Sequence, residues 1–94
     1  MKAVFIVYNQ AYNEEIVAVL EANGQRGYTQ WFDVQGRGSV DGIPRLGNHA
    51  WPETNHAILT FVEDGMVEPI AEALRVKDGE NPGLGLRFFS WSVD

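Results

Sequence analysis

Four short runs rich in β-branched and aromatic residues, and two amphipathic stretches between them, alternate along this chain in one fixed order. Ala3 to Tyr8 (AVFIVY) is apolar enough for a buried strand. A helix over about 12–23 follows. Ile16, Val19, Leu20 and Asn23 fall at helical spacing, Glu14 and Glu15 suit the positive N-terminal end, and Gly24 supplies the stop. Tyr28 to Gln35 reads as a second strand and His56 to Glu63 (HAILTFVE) as a third. Asp64 is the expected N-cap of a second helix to about Val76, with Val67, Ile70, Ala71 and Leu74 inward. Pro69 is tolerated only in a first turn, so this helix starts late or opens distorted. Lys77 to Gly85 (KDGENPGLG) reads as a turn-rich loop, and Leu86 to Val93 as the last strand.

This β-α-β-β-α-β order predicts two split βαβ units in one domain spanning residues 1–94, of the α+β class. The expected fold is a ferredoxin-like sandwich, a four-stranded antiparallel sheet with two helices on one face. The first and third strands are the most continuously apolar, so they should be central.

Side chains alternate across a strand. Val4, Ile6 and Tyr8 oppose Ala3, Phe5 and Val7; Phe89 and Trp91 oppose Phe88 and Ser90. Both faces of the sheet therefore carry large apolar groups, yet right-handed crossovers put both helices on the same face. The other face needs cover from outside the chain, which points to a homo-oligomer.

A formal net charge of −6 argues against non-specific nucleic-acid binding, which needs a basic surface. Cysteine is absent, which removes thiolate metal sites and thiol nucleophiles. The apolar run at the N-terminus ends at Asn9, too soon for a signal or membrane segment. A cytoplasmic location is the expectation.

Between the second and third strands lies a long polar loop, about 36–55, where most connections need only a few residues. It opens Gly36-Arg37-Gly38. Glycines let backbone N–H groups approach an anion closely, but the spacing matches neither a dinucleotide fingerprint nor a P-loop.

Gly27-Tyr28-Thr29, Val34-Gln35-Gly36-Arg37-Gly38 and the closing GLGLRFFSWSVD give the chain a resemblance to the PII signalling proteins and their PII-like relatives. Those are ferredoxin-like trimers, similar in fold also to the CutA proteins. The resemblance implies an adenine-nucleotide site in the cleft between subunits. It also implies a loop that contacts a regulated partner, such as a membrane transporter. By position, Thr29, Gly36, Arg37, Gly38, Gly85 and Arg87 would bind the ligand. Leu84 and Leu86 stand where PII proteins carry an acidic residue and a phosphate-binding lysine, so the arginines would face the anionic oxygens. Beside the PII pattern the strand between Gly27 and Gly36 is one residue too long, which implies a bulge or a shifted register.

The resemblance to CutA keeps a second reading open, a trimer that binds a divalent transition metal through His49 and His56. Their spacing fits no established zinc motif. In the plainer reading the histidines make hydrogen bonds, and Trp51 and Pro52 anchor the loop's returning limb. Catalysis has little support. Ser39, Asp41 and His49 sit on one glycine-rich loop without a rigid frame. The expectation is a binding module and not an enzyme.

Overall fold

The computed structural model describes all 94 residues. The elements are β1 (Lys2–Asn9), α1 (Asn13–Ala22), β2 (Thr29–Val34), β3 (Asn55–Val62), α2 (Val67–Glu80) and β4 (Arg87–Ser92). The sheet order is β2-β3-β1-β4 and every pairing is antiparallel. The expected ferredoxin-like sandwich is thus the observed fold, with β1 and β3 central.

Hydrophobic periodicity explains the core. Val4, Ile6 and Tyr8 of β1 and Ile58 and Val62 of β3 point to the helices. There they meet Ile16 and Leu20 of α1 and Ile70 and Leu74 of α2. Leu84, from the stretch expected to be a loop, is fully buried in the same cluster. The opposite face carries Phe5, Leu59, Phe61, Phe89 and Trp91. Phe61, Phe89 and Trp91 are each about half exposed, at 49%, 54% and 47%. Rows Leu59–Phe5–Phe89 and Phe61–Ala3–Trp91 run straight across the register. No part of the chain covers them.

Three details differ from the sequence expectation. A 3-10 turn, Asp64–Met66, precedes α2, so Pro69 falls in the first helical turn, where no intrahelical bond is lost. Asp64 does not cap the helix; its carboxylate pairs with the N-terminal ammonium at 2.7 Å. Finally, α2 continues through Lys77, Asp78 and Gly79 to Glu80, four residues past Val76. The Asn81 side-chain amide then donates to Lys77 O at 2.8 Å and satisfies a terminal carbonyl. No helix is long and apolar enough to cross a membrane.

Candidate functional site

The bulge anticipated between Gly27 and Gly36 sits at Phe32 and Asp33. Register runs Trp31↔Ala57 and then Val34↔Asn55, so two residues of β2 oppose His56 alone. Asp33 takes a positive φ of 54° there. Its N–H donates to His56 Nδ1 at 3.1 Å and its carboxylate accepts from the Thr54 hydroxyl at 2.9 Å. These bonds offset the strain of a left-handed non-glycine residue. The bulge also re-aims the side chains that follow it. Residues three apart on a regular strand point to opposite faces, but here Trp31 and Val34 share the helix-free face.

Both line a cavity of about 750 Å³ on that face. Its floor is Phe5, Val7 and Ala57, and Phe89 and Arg87 close one side. Gln35 to Gly38, Arg45, Asn55 and Gly85 form the rim. Of the residues singled out by sequence, Gly36, Arg37, Gly38, Gly85 and Arg87 line this one space. Thr29 lies on β2 opposite Leu59 and outside the lining. Arg87 packs on the loop base: a Cβ added at Gly38 would lie 3.3 Å from its Nε. The shift of the cation by one position, from Leu86 to Arg87, carries it to the helix-free face, opposite Val7. Arg37 and Arg87 make no ion pair within the chain, whereas Arg75 pairs with Glu68 and Glu72.

Sequence reasoning missed Arg45, Asn55 and Asn9. Asn9 ends β1; its amide donates to Gly83 O at 3.1 Å and to Glu53 Oε2 at 3.2 Å. Arg45 donates through Nη1 to Asn55 Oδ1 at 3.1 Å and through Nη2 to Gly83 O at 3.2 Å. Gly85 has a φ of 61°, and a Cβ there would lie 2.5 Å from Arg45 Nη1. Both facts require glycine at this point. The signal in the sequence was a lone arginine next to Pro44, inside a loop read as a single unit.

That loop is not one free arm. Gly36 and Arg45 exchange two backbone hydrogen bonds, at 2.9 and 2.8 Å, and Gln35 Nε2 donates to Leu46 O at 2.9 Å. The segment from Arg37 to Pro44 is therefore a separate tip, with Val40 and Ile43 exposed at 89% and 67%. A second turn closes through Asn48 N to Trp51 O at 3.0 Å. Trp51 and Pro52 are exposed, so they do not anchor the returning limb; the Gly36–Arg45 pair and buried Pro44 do.

The histidines stay apart in chemistry. His56 is buried, with Phe32 at 4.6 Å between centroids and Tyr8 edge-on at 6.1 Å. Its Nδ1 is engaged by the Asp33 N–H. His49 is exposed on the returning limb. No group of three or more His, Cys, Asp or Glu side chains is placed to hold a metal ion. Within the chain, His56 Nδ1 is occupied by a structural hydrogen bond, and His49 lies apart from it on the exposed limb.

A buried polar chain supports the far end of β1. Tyr8 Oη donates to Asn13 Oδ1 and accepts from Gln30 Nε2 at 2.8 Å. Burial pushes the Tyr8 phenol up from 10.0 to about 12.

The architecture is thus a sheet sandwich with an uncovered apolar face and a cation-lined cleft beside a long loop. Residues 1–93 match the profile of the nitrogen regulatory protein P-II family, and the chain belongs to that family. No curated protein matches the sequence. Among solved structures, the chain is similar to CPII, a nitrogen regulatory PII-like protein from Thiomonas intermedia K12, bound to ADP, AMP and bicarbonate. The TM-score is 0.74 at 19% identity, over 98% of this chain and 86% of that one. The apo form of CPII gives 0.70 at 18% identity, over 98% and 89%. A PII-like signaling protein from Thermus thermophilus gives 0.66 at 22% identity, over 98% and 85%.

Proposed function

We propose that this chain is a homotrimeric signalling protein, not an enzyme, that binds an adenine nucleotide in inter-subunit clefts. The loop over 36–55 passes the bound state to a regulated partner protein, a membrane transporter being the type the family resemblance favours. The observation that carries this reading is the 750 Å³ cavity itself. It joins aromatic surface for a base, Trp31 and Phe89, to glycine backbone and the unpaired guanidinium groups of Arg37 and Arg87. Arginine forks match phosphate oxygens geometrically, so the absence of a lysine at Leu86 does not leave an anion without a cation. One CPII structure is bound to ADP, AMP and bicarbonate, which supports the same ligand class here.

The trimer rests on the helix-free face. Apolar area left in water costs about 25 cal/mol per Å², and the rows through Leu59, Phe61, Phe89 and Trp91 form one continuous patch. Neighbouring copies packed there would bury the patch and wall the cavity. Thr29, on this face but outside the single-chain lining, is then available to a neighbour's ligand.

Calorimetric titration with ATP, ADP, AMP and cyclic dinucleotides tests the reading. Binding by the wild type that is lost in Gly38→Val supports it, because the valine would strike Arg87. No heat with any of these ligands would remove it.

A further inference from the structure

His56 is the one residue of β3 that two residues of β2 straddle at the bulge. Its side chain is buried, packed on the Phe32 ring and against the edge of Tyr8. Nδ1 stands between two backbone groups of opposite kind, the Asp33 N–H at 3.1 Å and Asn55 O at 3.2 Å. It can serve only one of them. Without a proton, Nδ1 accepts from Asp33, and the hydrogen of the neutral ring is on Nε2. With a proton, Nδ1 donates to Asn55 O and sets a positive N–H against the Asp33 N–H. The Asp33 bond is one of two that hold this residue at a φ of 54°.

We propose that His56 is a proton-operated latch on the β2 bulge. The neutral imidazole holds Asp33 in its left-handed conformation and so keeps Trp31 and Val34 together on the cavity wall. In the imidazolium the bond passes to Asn55, the Asp33 N–H loses its acceptor, and the bulge opens. Asn55 also carries Arg45 through its side chain, so both partners of the ring reach the cavity rim. Histidine is the side chain whose ordinary charge change falls between pH 5 and 8. The groups around the ring leave that range to His56. From β1 it meets the Tyr8 phenol, which burial keeps un-ionised up to about 12. Beyond it, α1 presents the uncharged Asn13. From β2 it meets Asp33, whose carboxylate accepts from the Thr54 hydroxyl at 2.9 Å. On the chain just before β3, Glu53 is engaged by Asn9 and Arg45. The latch does not depend on which ligand the cavity takes.

The test is NMR of the 15N-labelled full chain at pH 8 and pH 5.5. Ring nitrogens report the protonation of His56, and hydrogen exchange of the Asp33 amide, corrected for intrinsic rate at each pH, reports the bulge. Amides at the centre of β1 serve as the internal reference. Losing the bond corresponds to about tenfold in local opening, so Asp33 protection should fall by about that factor at pH 5.5 while β1 keeps its own. His56→Asn and His56→Gln retain a carbonyl acceptor that does not titrate, and each should hold Asp33 protection within about twofold across the same range. In His49→Ala, His56 is the only histidine left, and its titration and the loss of Asp33 protection should share one midpoint. A ring that stays neutral down to pH 5.5 would overturn the proposal. So would a ring that titrates while Asp33 stays protected, or the same loss of protection in the asparagine or glutamine variant.

Discussion

Gly85→Ala perturbs the point where backbone conformation and the Arg45 guanidinium are fixed together. Two costs follow from the geometry. A left-handed conformation costs a non-glycine residue about 1–2 kcal/mol, and Gly85 stands at φ 61°. The added Cβ would also lie 2.5, 2.7 and 3.0 Å from Nη1, Nη2 and Cζ of Arg45, so the guanidinium must leave. That breaks its bonds to Asn55 Oδ1 and Gly83 O. Hydrogen bonds to a charged group contribute about 1.5–3 kcal/mol when buried, but Arg45 keeps some solvent contact and can rehydrate, so about 1 kcal/mol for the pair is the working figure. The expected loss is therefore about 2–3 kcal/mol, seen as a lower urea midpoint at unchanged slope. In an Arg45→Ala background the same change should cost only the backbone part, leaving a coupling of about 1 kcal/mol in a double-mutant cycle. Strict additivity would refute the claim that glycine is needed there to seat Arg45.

Three further outcomes follow from the structure. Tyr8 has its folded pKa raised to about 12 from 10.0, so its contribution to stability is intact below pH 10 and falls as pH rises toward 12. Tyr8→Phe, followed by denaturant unfolding across that window, should show a loss of stability with pH that is shallower by about 2–3 kcal/mol. Leu84→Ala should cost about 2–5 kcal/mol in the same assay, as for any fully buried leucine, although its flanking glycines suggest a dispensable loop. Asp33→Gly should be tolerated at the bulge, since glycine relieves the positive φ, whereas Asp33→Val should destabilise by more than about 1 kcal/mol by thermal melting.

The fold was legible because each strand's apolar face and each helix's 3.6-residue stripe agree. Val4, Ile6 and Tyr8 meet Ile16, Leu20, Ile70 and Leu74 as their spacing requires. The bulge was legible too, from the residue between Gly27 and Gly36 that is surplus to the PII pattern. The end of α2 was not. Gly79 and Pro82 signal a turn, but the Asn81 cap and the burial of Leu84 hold the helix to Glu80, and those are tertiary effects.

The site divides in the same way. Gly36, Gly38, Gly85 and Arg87, singled out through the PII resemblance, fall together in the lining of one cavity. Arg45 was not, because its role depends on contacts with Gly83, Asn55 and Glu53, distant in sequence or across the loop. Likewise the support that His56 gives Asp33 was not legible, because it depends on the bulge geometry.

A cleft finished by neighbouring copies across the helix-free sheet face is the central claim. Sedimentation equilibrium at micromolar protein measures this directly. A particle of three times the 10.5 kDa chain mass is predicted, with dissociation to single chains when Phe61 and Trp91 are both replaced by glutamate. A wild-type particle of 10.5 kDa under those conditions would contradict it.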